Sequence, residues 1–209
     1  MTKNDLKLIG AFIDTKNPKE DLNYAHLLED GIYATDTRKA IHFNIPMLNL
    51  KLFLHKKLLA GFRCAVKPDD NITIDGQGFI RVDRSFKMNC NTFPDIDNQP
   101  ISIKKILDQQ FEYKISLEEI DDIHFELTQK NCFIDDIHLN AIIEYSNCNR
   151  YEVFYNKQKI EDGKTNTGMV KIIGIYNTED EVNLVKFTSI IMGREFKTQA
   201  REQLLMELN

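Results

Sequence analysis

The chain has 209 residues, of which 42% are hydrophobic and 28% charged, and its formal net charge is −5. That length supports one or two domains with a sizeable core, and the supply of Phe, Ile and Leu excludes a disordered chain. A negative balance excludes a protein that coats nucleic acid with its whole surface, but not one that touches it on a single face, because such affinity comes from local neutralisation of phosphates.

No apolar run approaches the roughly 18 residues of a membrane span. Met1-Thr-Lys-Asn-Asp5 lacks the basic-then-apolar layout of a secretion signal, so a cytoplasmic location is expected. Cys64, Cys90, Cys132 and Cys148 form no CxxC pair and have no His at finger spacing. Reduced thiols are expected there, and neither a metal nor a cofactor.

In chain order, residues 5–12 start a short helix with Asn4 or Asp5 as N-cap, and residues 15–21 form a polar break around Pro18. Residues 24–28 and 31–34 read as strands joined by a tight turn at Glu29-Asp30-Gly31. Residues 40–45 continue as extended chain to Pro46.

Residues 37–68 carry Arg38, Lys39, Lys51, Lys56, Lys57, Arg63 and Lys67 and no Asp or Glu. Within them, Pro46 ahead and Gly61 behind predict a helix over 47–60. Leu48, Leu52, Leu54, Leu58 and Leu59 share one arc of its wheel, and Asn49, Lys56, Lys57 and Arg63 fall opposite. Lys51 and His55 intrude on the apolar arc. A solvated lysine face is the plain reading. The lack of any acid favours a face built to meet an anion, since ordinary solvated faces mix signs.

From Cys64 the period changes to two. Residues 71–75, 79–83 and 85–90 alternate and predict an antiparallel meander, with turn chemistry at Asp69-Asp70-Asn71 and Asp75-Gly76-Gln77-Gly78. Residues 93–100 read as an extended crossing segment and the domain junction. Beyond it lie residues 101–111, then 113–116. A helical start is expected within 117–129, with Ser116 and Glu119 in a capping-box arrangement. Strands are expected at 137–145, 151–155, 169–176 and 182–192, turns at 161–164 and 177–180, and a closing helix at 196–208.

Phosphate-cradling, dinucleotide, zinc-protease and nucleophile-elbow motifs are absent. The one enzyme candidate is acidic: Asp121, Asp122, His124, Asp135, Asp136, His138 and Glu144. Gathered together, these could hold two Mg²⁺ ions and cut phosphodiesters, which would make a metal-dependent nuclease. Scattered on turns and strand edges, they are solvated side chains with no shared chemistry.

Three short pieces carry a resemblance. Gly31-Ile-Tyr-Ala-Thr-Asp-Thr-Arg-Lys-Ala40 resembles the "ATD-G-H-R-L" segment in the middle domain of the bacterial sliding clamp, the DNA polymerase III β subunit. Ile45-Pro46 with the basic helix behind it resembles that domain's Pro-led, DNA-facing helix. Asn91-Thr-Phe-Pro-Asp-Ile96 resembles the "G-x-F-P-D-Y" segment that leaves the domain, and Ser189-Ile-Ile-Met192 is similar to the "V-L-M-P" close of the last domain. The order agrees. The family's Gly-His-Arg-Leu is here Thr37-Arg38-Lys39-Ala40, and its closing Pro is Gly193.

The resemblance implies an α+β fold of two clamp-like domains, antiparallel sheets outside and short helices on the inner face. The divisions would be residues 1–98, residues 99–196 and a helical tail at 197–209. It implies no catalysis. The implied function is a processivity factor that encircles double-stranded DNA and tethers a polymerase, and the clamp loader would dock on it too. Lys51, Lys56, Lys57, Arg63 and Lys7 would face the duplex. Thr37, Arg38, Lys39, Ala40, Pro94, Ile191 and Met192 would line the pocket for partner peptides. Two domains per chain imply a homo-oligomer of three copies. The remaining alternative is a monomeric clamp-like interaction module, since Gln203-Leu-Leu-Met206 loosely resembles a docking peptide.

Overall fold

The computed structural model describes residues 1–194 except 15, 17, 19, 46–51, 75–78, 83–85, 90–98, 162–163, 167 and 180–181. Its helices are α1 (Lys3–Ala11), α2 (Lys56–Ala65), α3 (Gln99–Leu107), α4 (Ile123–Gln129) and α5 (Asp136–Tyr145). Its strands are β1 (Tyr24–Leu28), β2 (Gly31–Thr35), β3 (Lys39–Phe43), β4 (Leu52–His55), β5 (Ile72–Ile74), β6 (Phe79–Val82), β7 (Phe86–Asn89), β8 (Tyr113–Leu117), β9 (Arg150–Asn156), β10 (Lys159–Glu161), β11 (Lys164–Asn166), β12 (Met169–Tyr176) and β13 (Leu184–Met192). The α+β class and the antiparallel sheets agree with the sequence expectation.

An eight-stranded antiparallel sheet of order β4-β1-β2-β3-β13-β12-β9-β8 organises the molecule. The two halves of the sequence meet in it where β3 pairs with β13, Ala40 opposite Ile190 and Phe43 opposite Phe187. β5, β6 and β7 form the expected meander as a separate three-stranded sheet.

Strand alternation divides the core between two faces. Ile32, Ala34, Ile41, Phe43, Phe187 and Ile191 point to one side, where α1, α2 and α5 pack. Tyr33, Ala40 and Ile190 point to the other, where α3 covers them with Ile103 and Leu107. β2 is buried along its whole length because it is covered from both sides.

α1 sits at the centre of the first helix layer, against α2 and α5. Thr2 is its N-cap, and Asp5 closes a capping box by accepting the Thr2 N–H at 2.7 Å. Gly10 lets α2 approach: a Cβ there would lie 3.2 Å from Leu59 Cδ2.

Three sequence expectations need correction. The helix drawn over 47–60 is, where described, strand then helix, because Leu52–His55 pair with β1 as an edge strand. Leu54 then enters the core, and His55 becomes the N-cap of α2, its Nδ1 accepting the Lys57 N–H at 3.1 Å. Gly61 lies inside α2 and does not end it. The strand expected over 137–145 is α5. Asp135 caps it by accepting the Ile137 N–H, and Leu139 and Ile142 make its buried face; tertiary packing overrides the β-branched Ile residues. Finally, Ser116 belongs to β8, so the helix expected after it begins only at Ile123, behind Asp122. Of the extended crossing segment expected at 93–100, Gln99 and Pro100 instead open α3, and the rest, like the closing helix at 196–208, lies outside the described residues. No helix among the described residues is long and apolar enough to cross a membrane.

Candidate nucleic-acid interface and docking pocket

The side of the sheet covered by α1, α2 and α5 carries the described cations named for DNA. Lys7 projects from α1 with its ammonium 4.8 Å from the centre of the Tyr145 ring of α5. Lys57 is exposed on α2, and Arg63 is half-buried one and a half turns on. Lys56 turns inward, and its ammonium donates to the Ile13 carbonyl at the end of α1. Burial, and then the neighbouring Lys39, lowers the proton affinity of Lys56. Lys51 lies outside the described residues. Lys3 is a cation the sequence reading passed over; it donates to the Val66 carbonyl at 2.8 Å and so caps the end of α2. α5 contributes no Lys or Arg. The basic character of this face therefore belongs to α1 and α2.

The α3 side carries an apolar cavity of about 160 Å³ at the end of β3 and β13. Thr37, Arg38, Lys39, Ala40 and Met192 line it, five of the seven residues named for a peptide pocket. Ile191 faces the opposite side of its strand and is fully buried in the main core, and Ile190 takes the pocket position. Alternation along β13 makes this inevitable, since Met192 and Ile190 share a face. Pro94 lies outside the described residues. The sequence reading missed Ile106 and Gln109, from α3 and its end, and Met169 at the start of β12. The signal for Met169 was its place opposite Met192 in the β12–β13 pairing.

The β2–β3 turn forms one wall of the cavity. Thr35 Oγ1 donates to the Lys39 carbonyl at 2.8 Å and accepts the Thr37 N–H at 3.1 Å. Asp36 accepts the N–H groups of Arg38 and Lys39 at 3.0 and 2.9 Å. Thr37 itself has φ of 79°, a left-handed conformation that a β-branched residue adopts only under strain. The resembling family has Gly at this point.

The acidic residues named for a nuclease are not gathered. His124 Nε2 meets Asp136 at 2.9 Å, Asp135 caps α5, and His138 faces Lys39 instead. Among the described residues, no group of three His, Cys, Asp or Glu side chains is placed to hold a metal ion. Cys64, Cys132 and Cys148 are free thiols. Burial pushes Cys132 up to about 12 and Cys148 up to about 11, so both stay protonated at neutral pH.

No protein-family model matches the chain. No curated protein matches it either. Solved structures do. The DNA polymerase sliding clamp of Pseudomonas aeruginosa superposes with a TM-score of 0.57 at 8% identity, over 94% of this chain and 66% of that one. The H. pylori beta clamp, solved in complex with diflunisal, gives 0.56 at 12% identity, over 93% of this chain and 64% of that one. The chain thus spans about two thirds of the length of these proteins. With its large antiparallel sheet, short helices packed on it and agreement in shape over nearly its whole length, the chain has the fold of the bacterial DNA sliding clamps.

Proposed function

We propose that the chain is a DNA sliding clamp, a polymerase processivity factor that encircles duplex DNA without reading its sequence. The observation that carries this reading is the division of labour across one sheet. The cations of α1 and α2 lie on one side, and an apolar cavity lies on the α3 side, where Lys104 is paired with Asp30 and Lys171 donates to the Leu107 carbonyl. A ring that slides needs weak, exchangeable phosphate contacts on its bore and no base contacts. It needs its partner site elsewhere, so that a tethered polymerase and the duplex do not compete.

In this reading Lys7, Lys57 and Arg63 face DNA, and Lys51 and Lys56 belong to the same basic stretch. The cavity at Thr37, Arg38, Ala40, Ile190 and Met192 takes an apolar side chain from a polymerase or loader peptide. Residues 1–98 and 99–196 act as two clamp-like domains with a tail at 197–209. The chain performs no catalysis and works in the cytoplasm. In this reading the chain acts as a homo-oligomer, in which three copies of two domains complete a six-domain ring. Light scattering over a wide concentration range tests this. A mass of three chains of 24.4 kDa is expected, and a monomer that persists at high concentration overturns encirclement.

A further inference from the structure

On the helix side of β3 lies a hollow of about 550 Å³ that the reading above leaves unused. The end of α1, the β2–β3 turn, the first residue of α2 and the first turn of α5 enclose it. Its charged groups come from all four: Asp14, then Asp36, Arg38 and Lys39, then Lys56, and His138. Lys39 leaves the peptide cavity with its ammonium. That group sits 3.4 Å from Asp36 and 3.4 Å from His138 Nδ1, on the side opposite Ala40.

Three permanent cations here face two carboxylates, and both carboxylates are engaged by their own loops. Asp36 accepts two turn N–H groups besides Lys39, and Asp14 accepts the Lys16 N–H at 2.9 Å. The imbalance shows in the neighbours. Burial and then Lys39 lower the proton affinity of His138, with Arg38 acting the same way and Asp36 and Asp135 opposing. Lys56 is lowered by burial first and then by the same Lys39, with Arg63 acting the same way and Asp14 and Asp36 opposing. An anion in the hollow would relieve this repulsion.

We propose that the hollow holds one phosphate group of a nucleic-acid backbone. This rests on the nucleic-acid reading and extends it to Arg38, Lys39 and His138. Ammonium groups converging from separate elements suit a compact phosphate, which takes point charges from several directions. Lys56 joins the hollow to Lys57 and the rest of the basic α2 face. Thr37, Arg38 and Lys39 also line the apolar cavity, so phosphate on one side and peptide on the other share a wall.

The test follows the His138 ring by NMR while a short DNA duplex is added to the full chain. Binding is then measured against salt for wild type, Lys39→Gln and the exposed-site variant Arg38→Gln. The duplex is expected to move the His138 signal and raise the pH at which it titrates. Each variant is expected to lower the salt dependence of binding by about one phosphate contact. Duplex binding with a silent His138 and unchanged salt dependence overturns the hollow and leaves the clamp reading intact. Inorganic phosphate moving His138 as far as the duplex does overturns the backbone source. A chain that binds no duplex even at low salt overturns the hollow, whereas the clamp reading stands or falls on retention by circular DNA.

Discussion

Lys186 of β13 meets Asp5 of α1 at 2.8 Å, with side chains only 14% and 4% exposed. One carboxylate thus closes the capping box of α1 and anchors that helix to the far half of the sheet. Lys186 also donates to the Ser146 carbonyl at 2.9 Å, which ties in the end of α5. Asp5→Asn leaves a buried ammonium without its countercharge and is expected to cost about 3–5 kcal/mol in urea unfolding. Asp5→Asn combined with Lys186→Met is expected to recover part of that loss. A single variant as stable as wild type would show that the pair is solvated and carries no anchoring role.

Thr37 gives a prediction of the opposite sign. Its left-handed backbone costs about 1–3 kcal/mol, and glycine removes most of the penalty. Thr37→Gly is expected to raise the melting temperature. An unchanged or lower melting temperature would mean that contacts of the Thr37 side chain outweigh the strain.

His138 sets a pH dependence. Its folded-state proton affinity is lowered by burial first and by Lys39 second. The unfolded chain then binds the proton at higher pH than the folded one, so stability is full above the ordinary histidine range, about 6.5, and falls as pH drops below it. The fall levels off once pH passes the folded-state value. Thermal melts on both sides of that range are expected to show a smaller acid loss for His138→Gln than for wild type. Equal losses would remove His138 from the account.

Gly174 sits mid-strand in β12 where a Cβ would lie 2.2 Å from Phe187 Cε1 and 2.7 Å from Cys148 Sγ. The strand pairing also shifts register just after it. Gly174→Ala is expected to destabilise by about 1–3 kcal/mol through overpacking, read by denaturant midpoint. A neutral result would require Phe187 to swing aside at no cost.

Much of the fold was legible because strands advertise themselves by alternation and turns by Gly, Asn and Asp. β1, β2 and the turn at Glu29–Gly31 emerged from that grammar, as did the meander and the pairing elements β12 and β13. The errors arose where local and long-range preferences conflict. Leu52 and Leu54 fit a helical arc and a two-residue alternation equally well, and only the distant partner β1 decides between them. Residues 137–145 are rich in Ile, yet the Asp135 cap and the burial of Leu139 and Ile142 make a helix. In the site, the turn Thr37–Ala40 was found from its resemblance, but the strand parity that selects Ile190 over Ile191 needed the register of β13 against β3. Ile106 joins the cavity only because α3 folds back over the sheet, which local sequence does not encode. Lys39 shows the same limit: adjacent to Ala40 in sequence, it delivers its charge to the other face.

Encirclement is a topological property, and a circular DNA reads it out. The chain is assembled on a circular DNA, with a loader if one is required, and freed of unbound protein by gel filtration. A restriction enzyme then cuts the circle once. The chain is expected to stay with the intact circle in moderate salt and to be lost from the linear form as it slides off the ends. Equal retention on circular and linear DNA, or none on either, would contradict encirclement.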